Sequence, residues 1–240
     1  MVRVVISAGG TGGHIYPALA IINKIKEKEP DSEFLYIGTT DRMEATIIPE
    51  LGYDYVGLEI KGLNRRNIFK NINVLKSYLK AVKIAKKEIK KFNPDVVLGI
   101  GGYVTLPVLS AAHSLKIKTF IHEQNSIPGL SNKLLTRKVD AIGVSLPSSL
   151  KHFDKKKTTY TGNPRSEEVI NVEKVDKKKY GLTKNKKLVL FVMGSLGSHT
   201  VNDMMKEILP KFDKKDYEVL FVTGKGYYDE YKKMKKVPEN

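Results

Sequence analysis

Short apolar runs alternate with longer amphipathic stretches along the first 150 residues of the chain. The apolar runs predict strands over residues 2–6, 33–37, 96–100, 118–122 and 141–144, and an extended segment near 53–60. The amphipathic stretches predict helices over residues 17–29, 43–51, 71–91, 103–115 and 129–138. Strands and helices that alternate in this way form a parallel sheet with helices on both faces.

The same alternation restarts after an interruption at residues 162–164 (GNP), which is followed by a lysine-rich stretch that we expect to be helical. Strands are predicted over residues 188–193 and 218–222, and helices over 201–209 and 227–235. The pattern therefore indicates an α/β protein with two domains, residues 1–162 and 163–240. A complete α/β domain has on the order of 100–150 residues, so we expect the second domain to be incomplete.

Composition changes this picture chiefly through charge. Apolar residues make up 41% of the chain and there is no cysteine, which excludes disulfides and thiolate metal sites. The formal net charge is +16, and residues 61–91 hold eleven Lys or Arg against one acid, Glu88. Such a segment attracts nucleic acid, anionic lipid headgroups or diphosphates. A lysine-rich composition with solvated side chains is the alternative explanation.

Residues 8–14 (AGGTGGH) join the first strand to the first helix. Four glycines let the backbone approach a ligand and point its N–H groups at an anion, and the helix N-terminus adds positive potential. The loop lacks the GK[ST] of a Walker A motif. It also fails GxGxxG, since Ile15 occupies the last glycine position, which disfavours a nicotinamide cofactor. A tight turn without a ligand is the alternative. We expect a positive φ at Gly12.

Two further polar loops follow predicted strands, residues 99–107 (GIGGYVTLP) and 122–129 (HEQNSIPG). Loops after parallel strands meet at one edge of the sheet, where open α/β sheets bind ligands. The imidazole, carboxylate and amides of HEQN suit sugar hydroxyls, although they could also only tie the sheet edge together. A fourth turn, residues 193–198 (MGSLGS), could hold a diphosphate. No DxD carboxylate pair is present to chelate a metal.

Taken together, AGGTGGH, GGYVTLP, HEQN with its PG, GNP and the glycine–serine turn resemble the MurG family of undecaprenyldiphospho-muramoylpentapeptide β-N-acetylglucosaminyltransferases, over essentially the whole chain. The resemblance implies a GT-B fold of two Rossmann-like domains. It also implies inverting transfer of N-acetylglucosamine from UDP-N-acetylglucosamine to lipid I, giving lipid II. Neither cofactor nor metal is implied.

The family's site residues map onto this sequence as donor and acceptor contacts. The UDP-N-acetylglucosamine contacts are expected at Thr11, Gly12, Gly13, Asn125, Arg165 and Ser195. Gly101, Gly102 and Tyr103 are expected to contact the acceptor or its diphosphate. The remaining family contacts to uracil, ribose and sugar would lie beyond Asn240, so we do not expect these 240 residues to turn over substrate alone.

An inverting transfer needs a group that takes the acceptor hydroxyl proton. The candidates are His14, which has the better resting pKa, and Glu123, which would need a raised pKa or help from His122. We favour His14. It could instead only cap the helix or contact phosphate.

The basic helix over residues 71–91 predicts an attachment to an anionic membrane surface, at the cytoplasmic face of the cell membrane. Lys76, Lys80, Lys83 and Lys87 lie on one stripe, and Ile68, Phe69 and Ile72 precede or begin the helix. We expect Leu75, Leu79 and Val82 to pack inward on the sheet, leaving the lysines and the three upstream apolar residues at the membrane.

Two other functions remain open. A basic α/β module could bind anionic lipid or nucleic acid without catalysis, although no RNA or DNA motif is present and we expect no nucleic-acid partner. Another lipid-directed GT-B transferase, such as a glycosyldiacylglycerol synthase, is the enzyme alternative.

Overall fold

The computed structural model of the chain describes residues 1–62, 71–194, 197–234 and 237–240, with the side chains of residues 71–73 left out. The chain divides into two compact units, Met1–Asn171 and Val172–Asn240. The predicted boundary lies nine residues earlier, between Gly162 and Asn163. The intervening residues stay with the first unit, where Lys24 and Glu167 form an ion pair of 2.8 Å.

The first unit contains a sheet of seven strands. The strands are β1 (Arg3–Ala8), β2 (Glu33–Thr39), β3 (Asp54–Leu58), β4 (Val96–Gly101), β5 (Lys118–Glu123), β6 (Ala141–Val144) and β7 (Thr158–Tyr160). Their order is β3-β2-β1-β4-β5-β6-β7, and every neighbouring pair is parallel. The predicted parallel α/β architecture is confirmed, while β7 was not predicted.

Helices cover both faces of this sheet. They are α1 (Gly12–Lys28), α2 (Glu44–Glu50), α3 (Asn71–Phe92), α4 (Thr105–Ser114), α5 (Leu130–Leu135) and α6 (Ser166–Ile170). Successive side chains of a strand point to opposite faces. Accordingly, Val4 and Ile6 pack in the core beneath α1 and α2, and Val5 packs in the core beneath α3, α4 and α5.

Helix α1 begins at Gly12, five residues before the predicted start at Pro17. Glycine has a low helix propensity, which hid this first turn in the sequence. The burial of Gly12 and Ile15 stabilises the turn nonetheless. Pro17 is buried inside the helix, where its ring removes only the bond to the Gly13 carbonyl.

The predicted inward packing on α3 is confirmed for Val82, which is partly buried against the core, and wrong for the two leucines. Leu75 and Leu79 are each 59% exposed, and the face that packs on the sheet carries Ala81, Ala85 and Ile89. Small alanines let the helix lie close to the sheet. Leu75 and Leu79 fall between this face and the exposed lysines, so the helix presents leucines as well as charges to its surroundings.

The second unit has a two-stranded parallel sheet. Its elements are β8 (Lys187–Val192), α7 (His199–Ile208), β9 (Tyr217–Val222) and α8 (Tyr228–Lys232). The lysine-rich stretch before β8 is not the helix we expected. Past α6, it contains one short 3₁₀ turn, Lys177–Tyr180, which Asp176 caps by accepting from the Lys178 N–H.

Among the helices in the described ranges, none combines the length and apolar character that a membrane crossing requires.

Candidate active site

The glycine-rich turns after β1 and β4 lie side by side at the carboxyl edge of the first sheet. The chain runs outward from β1 to β3 and returns to β4 on the other side of β1, so the strand order reverses between them. Gly9 N–H donates to the Gly101 carbonyl at 3.1 Å. Gly102 has φ +92°, and a Cβ there would lie 2.5 Å from the Gly9 carbonyl oxygen. Open α/β sheets bind ligands at such a reversal.

The first turn leaves backbone N–H groups free for an anion. Thr11 is extended at the start of α1, and the N–H groups of Gly12 and Gly13 belong to the first helical turn, which has no intrahelical acceptor for them. The expected positive φ at Gly12 is wrong: the positive value belongs to Gly10, at +92°. Gly12 is instead constrained by Tyr16, whose ring would lie 3.0 Å from a Cβ.

The imidazole of His14 lies between the two glycine turns. Its Nδ1 is 3.0 Å from the Gly9 carbonyl oxygen, so in the neutral ring Nδ1 carries the proton and donates it. Nε2 then has its lone pair free. A Cβ on Gly101, whose φ is +126°, would lie 2.8 Å from that nitrogen. The structure therefore gives His14 the tautomer of a proton acceptor and keeps space for it with a glycine.

Glu44 at the start of α2 holds the first glycine turn from behind. It is fully buried. Its carboxylate accepts from the Gly10 N–H at 3.1 Å and from both the N–H and the hydroxyl of Thr39, at 3.1 and 2.8 Å. The carboxylate thus joins the ends of β1 and β2. Because it accepts from the Gly10 N–H, the donors left for an anion are the N–H groups of Gly12 and Gly13.

The geometry gives Glu123 a structural role, in contrast to its proposed candidacy as base. Glu123 is 2% exposed. One oxygen accepts from the N–H and the side-chain amide of Asn125, and the other from the Gly129 N–H and the Asn132 amide, all at 2.9 Å. These four hydrogen bonds occupy both carboxylate oxygens and hold them inside the loop. Glu123 shapes the loop that presents Asn125, whose side chain is exposed.

His122 and Gln124 tie the neighbouring loops together. Gln124 donates to the Ile100 carbonyl at 2.8 Å and to His122 Nδ1 at 3.1 Å. His122 Nε2 lies 3.2 Å from the Gly162 carbonyl oxygen and 3.1 Å from the Thr161 hydroxyl. Burial lowers the pKa of His122, so the ring is neutral and Nε2–H donates. The end of β4 and the loops after β5 and β7 are thereby joined at one edge.

Arg165, which follows the GNP turn, reaches α1 rather than open solvent. Its guanidinium lies 5.1 Å from the ring centre of Tyr16 and pairs with Glu168 at 2.7 Å. This places Arg165 beside the first glycine turn, since Tyr16 also covers Gly12. Of the remaining predicted contacts, Tyr103 follows the second glycine turn and is partly buried.

Several predicted residues lie outside the described residues: Ser195, Ile68 and Phe69, together with the side chain of Ile72. Those predictions stay untested. Within the described ranges, no three His, Asp or Glu side chains gather as a metal ion would require.

Comparison with known proteins assigns the family. Residues 4–144 match the family model described as the glycosyltransferase family 28 N-terminal domain. The chain belongs to glycosyltransferase family 28.

This family 28 chain is similar to two curated bacterial proteins, both named UDP-N-acetylglucosamine–N-acetylmuramyl-(pentapeptide) pyrophosphoryl-undecaprenol N-acetylglucosamine transferase. It is 46% identical to that of Bacillus cytotoxicus over 228 residues, covering 95% of the chain and 63% of the relative. It is 45% identical to transferase 1 of Bacillus cereus over 242 residues, covering 99% of the chain and 66% of the relative. The chain thus spans just under two thirds of the length of these proteins.

Solved structures show the same fold. Acinetobacter baumannii MurG superposes with a TM-score of 0.70 at 24% identity, covering 97% of this chain and 64% of that one. The UDP-N-acetylglucosamine 2-epimerase of Rickettsia bellii gives a TM-score of 0.63 at 13% identity, covering 98% and 65%. The expected GT-B fold class is confirmed.

Sequence reasoning about this family 28 chain missed Glu44 and Tyr16. Each touches the first glycine turn from a helix, and neither belongs to a recognisable motif. An acid in the first turn of the helix after β2 was the available signal for Glu44, because the end of β2 adjoins the end of β1 in a parallel sheet. Tyr16 gave no signal beyond its place two residues after His14.

Proposed function

We propose that this protein, at the length of its relatives, transfers N-acetylglucosamine from UDP-N-acetylglucosamine to lipid I, with inversion, to form lipid II. The observation that carries the proposal is the pair of interlocked glycine turns with the free Nε2 of His14 between them. The names of relatives at 45–46% identity supply the donor and acceptor.

The two turns suit the two diphosphates of this reaction. Thr11, Gly12 and Gly13 contact the donor through the free N–H groups of the helix start. Gly101, Gly102 and Tyr103 contact the diphosphate of the acceptor. Asn125 and Arg165 complete the donor contacts of the first unit in this proposal.

His14 acts as the base. The acceptor hydroxyl attacks the anomeric carbon, the bond to the UDP oxygen breaks, and the hydroxyl proton passes to Nε2. The Gly9 carbonyl, which accepts from Nδ1–H at 3.0 Å, stabilises the imidazolium that results. A positioned base of this kind contributes on the order of 10²–10⁴ in rate.

The proposed location is the cytoplasmic face of the cell membrane, where the acceptor's lipid lies. Support comes from α3, whose Lys76, Lys80, Lys83 and Lys87 are exposed beside Leu75 and Leu79. Each basic residue near an anionic bilayer contributes roughly 1 kcal/mol of binding. Lys80 also pairs with Glu59 at 2.9 Å, so its charge is partly compensated.

A chimera tests the function directly. The chain is extended at Asn240 with the corresponding last third of the Bacillus cytotoxicus relative and assayed with radiolabelled UDP-N-acetylglucosamine and lipid I in mixed micelles. We expect lipid II, and a fall in kcat of roughly 10²–10⁴ in the chimera with His14→Ala. Equal kcat with and without the imidazole would place the base elsewhere.

The donor and the alternatives are separated by thermal shift on the same chimera. UDP-N-acetylglucosamine should raise the melting temperature, and UDP-glucose or RNA should not. Stabilisation by RNA alone would favour the nucleic-acid-binding module, and stabilisation by UDP-glucose would favour another lipid-directed transferase.

A further inference from the structure

An apolar cavity of about 560 Å³ lies between α3, α4, α5 and the segment after β3. Its walls include Leu75 and Tyr78 from α3, Leu106 from α4, and Leu130 and Leu134 from α5. Leu134 is 50% exposed. Among the residues that the structure describes, none fills this space, and apolar side chains on a concave, open surface favour an apolar ligand.

The described walls of the cavity offer few polar groups to a ligand. The hydroxyl of Tyr78 already bonds to Ser110 on α4 at 3.1 Å, so Tyr78 offers its ring to the cavity. Lys61 is the charged residue among the described lining residues, and no acid lines them. The described walls therefore select an apolar ligand and tolerate a negative charge at one side.

Tyr103 connects the cavity to the second glycine turn. It lines the cavity and follows Gly102 directly, so the two places lie one residue apart along the chain, about 3.8 Å between Cα atoms. Its ring also lies 3.5 Å from where a Cβ of Gly62 would be. A molecule held at Gly101 and Gly102 by a phosphate could thus extend an apolar chain past Tyr103 into the cavity.

We propose that this cavity binds the first isoprene units of the acceptor's polyprenyl chain. The inference rests on the proposed function, because the diphosphate of that acceptor is placed at the second glycine turn. The lipid next to the diphosphate is thereby withdrawn from the bilayer and positions the acceptor. Charge agrees with this occupant: Lys61 lines the cavity, and Lys76 and Lys133, the sequence neighbours of Leu75 and Leu134, are exposed.

Binding of monomeric prenyl diphosphates to the 240-residue chain tests the proposal. Calorimetry with inorganic diphosphate, geranyl diphosphate and farnesyl diphosphate should show affinity that rises with chain length, by at least about tenfold from the first to the last. Leu75→Gln and Leu134→Gln should each remove most of that gain and leave the binding of inorganic diphosphate unchanged. Leu51→Gln, at an equally exposed leucine outside the cavity, is the matched control.

The outcomes separate the cavity from the function. Equal affinity for all three probes, with inorganic diphosphate bound, would overturn the cavity proposal and leave the glycine turns as the diphosphate site. If no probe binds, the cavity proposal is overturned. Turnover by the chimera would then show that the proposed function holds without it. Weaker vesicle binding by the leucine variants, without any effect on farnesyl diphosphate, would make the leucines a bilayer contact and overturn the proposal. A wild-type dimer in sedimentation that Leu75→Gln dissociates, with prenyl binding absent, would assign the cavity to a second copy and overturn the proposal.

Discussion

At position 101 the structure has room for the hydrogen atom of a glycine but not for a side chain. The φ of Gly101, +126°, excludes most side chains, and a Cβ would overlap the His14 ring. We expect Gly101→Ala to displace the imidazole and lower kcat of the chimera at least as much as His14→Ala does, with circular dichroism unchanged. Gly52→Ala is the control, because Gly52 has φ +80° but no atom within 4 Å of its Cβ position. Normal kcat in Gly101→Ala would mean that the ring can move without consequence.

Glu44 makes a second prediction, on stability. Glu44→Gln replaces one carboxylate oxygen by an NH₂ group, which cannot accept a hydrogen bond. Either the Gly10 N–H or the Thr39 N–H then loses its acceptor. A buried donor left without an acceptor costs about 1–3 kcal/mol, so the free energy of unfolding in urea should fall by that amount and the Gly10 amide should exchange faster. Glu50→Gln, on the exposed end of α2, should change neither. An unchanged exchange rate of the Gly10 amide would show that the first glycine turn keeps its conformation without the Glu44 carboxylate.

The pH dependence of stability should report His122. Burial lowers its pKa below 6.5, the usual value for histidine. Below that value the unfolded chain takes up a proton that the folded chain resists, so stability is full above it and is lost as the pH falls through the folded pKa. As the pH is lowered from 6.5, the melting temperature of the wild type should fall. The melting temperature of His122→Gln should fall less over the same pH range. Identical slopes for the two proteins would assign the pH dependence to other groups.

At the level of elements, α3 carries the membrane prediction. Lys76/Lys80/Lys83/Lys87→Glu should abolish co-sedimentation with vesicles containing phosphatidylglycerol, because about four favourable contributions of roughly 1 kcal/mol reverse sign. Wild type should bind neutral vesicles weakly. Lys155/Lys156→Glu is the control, at exposed lysines outside α3. Equal binding of all proteins to both vesicle types would remove α3 from the membrane and leave the transferase assignment standing.

The sequence predicts buried strands well, and it predicts short exposed strands and a helix start made of glycines poorly. Strand β4 was placed correctly to within one residue because its valines and isoleucine are apolar on both faces, as a central parallel strand requires. Strand β7 has three residues and two are exposed, so no pattern marked it. The glycine turns were found because glycine is visible in a sequence. Glu44 was not, because its partner lies 34 residues away.

For the whole molecule, the division at Asn171 predicts where proteases act first. Val172 and the residues that follow it up to Asp176 are exposed and without regular structure. Brief trypsin treatment should therefore cut at Lys174 before it cuts within the described strands and helices of the first unit, and mass spectrometry should find fragments that end at Lys174. The same digestion in urea should lose this selectivity. Early cleavage at Lys118, at the start of β5, would contradict the division into units.

The position of β1 in the interior of its sheet, between β2 and β4, sets the order of events on the ribosome. Val4 emerges early but its neighbour on one side is Val96, which is synthesised much later. Until then β1, β2 and β3 can form only half a sheet, with an apolar edge open to any other strand. Parallel pairing across such a distance is slow. Nascent chains of this protein should therefore depend on a chaperone that shields β1, and a stall in translation before residue 96 should leave them prone to aggregate.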